Sequence, residues 1–225
     1  MKHLKLSLLL AVFLIQSCGE KIHYDWNLPR SSRLIDSYMR MTELDFHFTP
    51  ATKSLQLFDP RMEFLNGEER DALTEKYDDT FFNKPLMKGT YGAYANEFTG
   101  ITVTSDTDFN DIRPGDNIGA KIRIVSVSPY KWLMSKGALT YDWTSVPADY
   151  KLLLTAGAAA QFLRQENHPV NKALTALTSE DLLLLNDSCV YLIFDETPEI
   201  KTHNMTVSIL DGENVYSVTK AVIFD

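Results

Sequence analysis

Apolar and polar residues alternate with a period of two over several short stretches of this chain, which is the pattern of half-buried β-strands. Leu44, Phe46 and Phe48 alternate with Asp45, His47 and Thr49, so His47 falls on the polar face. Leu55 and Leu57 repeat the pattern around Gln56 until Asp59-Pro60 stops it. Ile101 and Val103 alternate with Thr102 and Thr104, and residues 105–115 follow as a loop. A longer strand is expected over residues 118–127, where the apolar phase moves from Ile122 and Ile124 to Val125 and Val127. A β-bulge near Ile124 and Val125 accounts for that switch, because one inserted residue reverses the face that each later side chain meets.

The end of the chain carries the strongest pattern. Met205, Val207 and Ile209 alternate with Thr206 and Ser208, Asp211-Gly212 turns the chain, and residues 215–224 return as the second arm of a β-hairpin. Residues 190–194 are continuously apolar and end at Glu196-Thr197-Pro198. That segment predicts a central strand preceding the hairpin in one antiparallel sheet. Residues 66–100 read as loop, with residues 68–76 the only part that forms a helical turn or two. Residues 149–165 fit either a helix, from their alanines, or a buried strand, from residues 150–154. Thr178, with Asp181 three positions on, marks the start of a helical turn over residues 179–185. These elements predict a mainly β fold, an antiparallel β-sandwich of the immunoglobulin-like kind with short helical insertions.

Ahead of this body, Lys2 and Lys5 precede an apolar stretch over residues 6–15. A bilayer span takes about 20 apolar residues, so this shorter stretch reads as a secretory signal. The next residues, Ile15-Gln16-Ser17-Cys18, resemble the lipobox of bacterial lipoproteins, with Gln16 departing from the usual small or branched residue. The resemblance implies cleavage before Cys18, acylation of that cysteine and a membrane partner reached through lipid alone. Gly19 stands where an aspartate would resemble an inner-membrane retention signal, so the outer membrane is expected, with the leaflet left open. The chain then divides into a signal over residues 1–17, the lipidated cysteine and tether over 18–29, and one β-rich domain over 30–225. The lipobox, the segment Gly100-Ile101-Thr102-Val103-Thr104-Ser105-Asp106, and the strands containing Val190-Tyr191-Leu192-Ile193-Phe194 and Thr206-Val207-Ser208-Ile209 together resemble uncharacterised lipoproteins of gut Bacteroidetes. That family has no assigned activity, so the resemblance implies a location and no reaction.

Charge narrows the partners. Without residues 1–17 the basic count falls to 20 against 30 acidic residues, and no basic stripe remains. Phosphate neutralisation supplies most nucleic-acid affinity, so nucleic acid is excluded as a partner. The chain has two cysteines. With Cys18 acylated, Cys189 has no disulfide partner and reads as a small buried hydrophobe beside its apolar strand.

No HExxH, GxSxG, P-loop, dinucleotide-binding glycine pattern or CxxC occurs. Asp78-Asp79 and Glu68-Glu69 are adjacent pairs whose side chains point apart, so they read as surface charge rather than as the acid and base of a glycosidase. Asp106, Asp108 and Asn110 have the alternate oxygen ligands that Ca²⁺ prefers. The loop departs from an EF-hand, because Asp111 replaces the turn glycine and Asn117 the closing glutamate, and a solvated turn is the competing account. Tyr130, Trp132, Tyr141 and Trp143, with Asp142 between the last two, are the candidate ligand-binding residues. On a hairpin turning at Lys136-Gly137 each pair would share a face and offer rings and a carboxylate to a glycan, although such rings also serve as core.

These features predict a non-enzymatic binding or accessory module of the cell envelope, touching a glycan or a protein and requiring no cofactor. The alternatives are a structural subunit that pairs strands at an exposed edge, and a hydrolase whose carboxylates meet only in the fold. Replacement Cys18→Ala is expected to move the protein from the membrane pellet to the soluble fraction, and an unchanged distribution would count against the anchor.

Overall fold

The computed structural model describes residues 30–85, 91–153 and 164–225. Cys18, the tether before Arg30 and most of the ambiguous 149–165 stretch lie outside them. In chain order the strands are β1 (Arg30–Ser31), β2 (Ser37–Arg40), β3 (Asp45–Thr49), β4 (Ser54–Phe58), β5 (Glu63–Phe64), β6 (Lys84–Pro85) and β7 (Gly92–Tyr94). They continue as β8 (Phe98–Ser105), β9 (Ile122–Ser128), β10 (His168–Ala173), β11 (Val190–Phe194), β12 (Thr202–Asp211) and β13 (Asn214–Ile223). The α-helices are α1 (Gly67–Lys76), α2 (Tyr130–Met134) and α3 (Ala148–Leu153).

Two antiparallel sheets form a β-sandwich. One has the order β10-β9-β11-β4-β3 and the other β13-β12-β8. Their facing side chains make one core: Phe46, Leu55, Leu57, Ile124 and Leu192 from the first sheet meet Ile101, Val103, Met205, Val207 and Ile209 from the second. Each such side chain contributes about 1.5–3 kcal/mol when fully buried. Lys220 on β13 joins the edges of the two sheets, pairing with Asp45 and donating to the Phe46 carbonyl oxygen at 3.2 Å on β3.

The expected bulge in β9 is absent. Its pairing with β11 and β10 runs without a register shift, from Ile122 opposite Phe194 to Ser128 opposite His168. The apolar phase changes because both faces of the strand are covered. Ile122 and Ile124 enter the sandwich core, whereas Val125 and Val127 pack on the outer face with Trp143, Tyr150 and Cys189. The bulge lies instead where β8 meets β12. Leu210 faces Gly100 and Asp211 faces Phe98, which leaves Thr99 unpaired and lets both Phe98 and Ile101 reach the core.

Other expectations are corrected in the same way. Strand β11 is central as predicted, yet it belongs to the five-stranded sheet while the terminal hairpin belongs to the other. The chain therefore crosses the sandwich after Pro198. The hairpin turn is Gly212-Glu213, closed by Asp211 opposite Asn214, with Gly212 at a φ of 60° that favours glycine. Residues 66–100 contain more than α1, because β7 pairs parallel to β2, which in turn pairs with β5. This small mixed sheet packs Leu34, Tyr38, Tyr91, Trp132 and Leu133 into a second core. Thr178 and Asp181 form the predicted capping box on a short 3₁₀ helix, Ser179–Leu182.

Asp79 is not surface charge. It is fully buried and accepts hydrogen bonds from the backbone N–H groups of Leu34 at 2.7 Å and Ile35 at 2.9 Å. Burial raises its titration above the usual carboxylate range, while the two backbone donors oppose that rise. Replacement Asp79→Asn places an amide donor against one of these N–H groups. It is expected to destabilise the fold by about 1–3 kcal/mol, measured as a lower urea midpoint with an unchanged slope, and an unaltered midpoint would contradict this role.

Candidate functional site

Of the four aromatic residues singled out, the structure keeps two together. Tyr130 and Trp132 lie on α2 rather than on a hairpin strand, because Pro129 ends β9 and starts the helix. Trp132 is buried against Phe81, with ring centroids 5.0 Å apart, and against Phe82 at 6.0 Å, so it serves the second core. Tyr141 and Trp143 sit on the outer face of the five-stranded sheet, with their rings 4.6 Å apart. They line a surface hollow of about 580 Å³ with Thr140, Asp142, Thr144 and Gln165.

The two rings have different work. Trp143 is 9% exposed, stands 5.2 Å from Tyr150 and donates its indole N–H to the carbonyls of Arg164 at 3.0 Å and Asn167 at 3.1 Å. It fixes the floor. Tyr141 remains half-buried, held by its backbone N–H on the Gln165 carbonyl at 2.8 Å and by the edge of His168. Asp142 is exposed and accepts from the Thr144 backbone N–H at 2.9 Å and its hydroxyl at 3.0 Å, bonds that hold the carboxyl below the usual range. The hollow thus presents a ring, an ionised acceptor, two threonine hydroxyls and an amide. That combination can stack on the apolar face of a sugar and accept from its hydroxyls.

Behind the hollow, the sheet holds α3. Arg123 on β9 donates to Asp149 at 2.7 Å, Asp195 at 2.7 Å and Asn171 at 2.9 Å, and the Tyr150 hydroxyl reaches the Ser126 carbonyl at 2.8 Å. Cys189 is a free thiol buried in the same layer, and burial pushes its titration up to about 12. A thiol held in that form is no nucleophile at neutral pH.

The acidic loop diverges. Asp106 accepts from the Asn204 backbone and side chain at 2.8 and 2.6 Å, and Asn110 accepts from the Glu199 backbone N–H at 2.9 Å. Asp108 is exposed. Among the described residues no three histidine, cysteine or acidic side chains converge on a metal position. The carboxylate pairs also separate, with Glu69 on Arg40 at 2.9 Å and Asp78 on Lys136 at 3.1 Å.

Sequence reasoning missed a buried polar group of Ser105, Thr107 and His203. His203 Nε2 lies 2.7 Å from the Ile200 carbonyl, which can only accept, so Nε2 carries the proton and Nδ1 accepts from the two hydroxyls at 2.7 and 2.8 Å. Serine beside histidine is a nucleophile pattern, but these residues are 4% and 1% exposed and fasten the acidic loop to β12. No local pattern links residues 98 positions apart.

No protein family, curated protein or solved structure matches the chain. The fold defines it as a mainly β sandwich protein whose outer sheet face carries an aromatic hollow. Replacement Trp143→Ala is expected to cost about 3–5 kcal/mol of stability, read by thermal or urea unfolding, whereas Tyr141→Ala should cost far less. Equal losses would refute the division between floor and platform.

Proposed function

We propose that this chain is a lipid-anchored binding module of the outer membrane, non-enzymatic, whose ligand is a glycan held at the Tyr141 hollow. The observation that carries the reading is a half-exposed tyrosine ring beside an ionised carboxylate and two hydroxyls, on a floor fixed by Trp143. The signal-like N-terminus and the lipobox resemblance support the anchor, with Cys18 as the acylated residue. An acidic body supports attachment by lipid rather than by charge attraction to anionic head groups.

The sandwich is read as immunoglobulin-like. In the constant-type arrangement, strands A-B-E-D of one sheet face C-F-G of the other. Assigning A to G in chain order to β3, β4, β8, β9, β11, β12 and β13 reproduces those neighbours, with β10 added beyond β9. The contact between edge strands β3 and β13 is consistent with that assignment.

Thermal shift with a panel of soluble oligosaccharides tests the ligand. A specific glycan at about 100 times its dissociation constant should add about 2.7 kcal/mol of stability. Tyr141→Ala should lose that shift while Tyr141→Phe retains most of it. A flat response across the panel, or a shift that survives in Tyr141→Ala, would remove the glycan reading.

A further inference from the structure

The sandwich has four edge strands, and three of them are guarded against further pairing. Residues 115–118 cover β8, where the Ser105 and Val103 carbonyls accept from the Gly115 and Ile118 backbone N–H groups, both at 2.8 Å. In β3 the Phe46 N–H donates to the Asp45 carboxylate at 2.6 Å, and the Phe46 carbonyl accepts from Lys220 at 3.2 Å. In β10 Pro169 lacks an N–H, and the Val170 carbonyl accepts from the Tyr150 hydroxyl at 3.1 Å. Strand β13 differs. It is ten residues long, pairs with β12 without a register shift, and its backbone hydrogen-bonds to no other element among the described residues. Short length, bulges, prolines and outward charges are the usual guards against strand addition, and the open edge of β13 has none of them.

The turn Gly212-Glu213 closes on the pair Asp211 and Asn214. The closing pair of a two-residue hairpin is hydrogen-bonded, and such pairs recur at every second position. Hydrogen bonding to β12 therefore falls on the even positions from Asn214 to Val222, and the N–H and C=O groups of the odd positions from Val215 to Ile223 point to the open edge. The five odd side chains are exposed and uncharged. Two of them, Ser217 and Thr219, already bond their hydroxyls to Ser208 and Thr206 at 2.7 Å. Val215 and Ile223, 59% and 60% exposed, are the most exposed large apolar residues among those described, and they stand equally far on either side of Thr219.

We propose that β13 pairs antiparallel with β13 of a second copy of this chain, about a two-fold axis through Thr219. In that register Val215 of each copy lies opposite Ile223 of the other, Ser217 lies opposite Ala221, and Thr219 meets its own counterpart. Open-edge groups face open-edge groups along the whole ladder, and both apolar residues gain an apolar partner. Moving the axis to Val218 sets Ile223 against Glu213, and moving it to Lys220 sets Ile223 against Ser217, so the exposed side chains select one register. Charge favours the same meeting place. With 30 acidic against 22 basic residues two copies repel, and an uncharged strand is where they approach at least cost. The product is one continuous six-stranded sheet. It does not rest on the glycan reading, because the Tyr141 hollow lies on the other sheet.

The test is sedimentation of the full chain in density-matched neutral detergent, where a concentration-dependent dimer is expected. Thr219→Pro removes an N–H that β12 does not use, so the hairpin stays paired while the central rung between copies is lost. The dimer dissociation constant should rise by at least about tenfold. Val215→Lys and Ile223→Glu test the register. Either alone should weaken the dimer by about fivefold, whereas the double variant, which sets opposite charges across the interface, should recover most of that loss. Both positions are exposed, so these variants should fold even where Thr219→Pro lowers the unfolding midpoint. A chain that stays monomeric at about 100 µM, a dimer unaffected by Thr219→Pro, or a double variant weaker than both single ones would each overturn the proposal.

Discussion

Burial of β9 on both faces is the constraint on which the rest of this protein depends. Its inward residues, Ile122 and Ile124, complete the sandwich core, and its outward residues, Val125 and Val127, carry the layer of Trp143, Tyr150 and Cys189. A strand covered on both sides cannot expose a polar face, so its polar atoms must find partners in the protein. Ser126 accordingly donates to the Cys189 carbonyl, and Ser128 to the Leu183 carbonyl at 2.7 Å. Arg123, the charged residue of the strand, is confined to its start, where three side chains receive its guanidinium. The hollow at Tyr141 exists because this outer layer exists.

The same constraint explains what the sequence hid. Strands with one wet face, β3, β8 and the β12–β13 hairpin, were legible because each apolar residue had a polar neighbour. In β9 the alternation is intact, yet both phases are apolar, and a phase change reads as an insertion when only one face is taken to be buried. The true insertion at Thr99 left the mirror signal, Phe98 and Ile101 in opposite phase on one buried face, and that signal was hidden by assigning residues 66–100 to loop. Strand β2 escaped notice for a related reason, since Tyr38 and Met39 are adjacent and both buried. Its parallel partner β7 lies 55 positions further on, with Ser37 opposite Gly92, and no local pattern announces a pairing of that range.

The candidate site divides along the same line. Tyr141-Asp142-Trp143 was readable as a unit because the three residues act within one local segment. Tyr130 and Trp132 looked like the matching pair only under an assumed strand, and Pro129 instead sets a helix that turns Trp132 into the second core. Asp79 was misread because adjacency to Asp78 says nothing of depth, and only the fold shows two backbone N–H groups waiting for its carboxylate.

Charge placement links these sites. Many carboxylates of the body are committed to a cation or a backbone donor: Asp45 to Lys220, Asp149 to Arg123, Asp181 to Lys172 and Thr178. Such commitments fix elements in place, as Asp149 fixes α3 over the sheet. Glu69 and Glu97 differ, because they are more than half exposed, and among the described residues each keeps one oxygen without a donor. Exposed pairs contribute about 0–1 kcal/mol each and are screened by salt. The acidic excess is therefore divided between carboxylates that hold the fold and a pair whose exposed contacts contribute little to it.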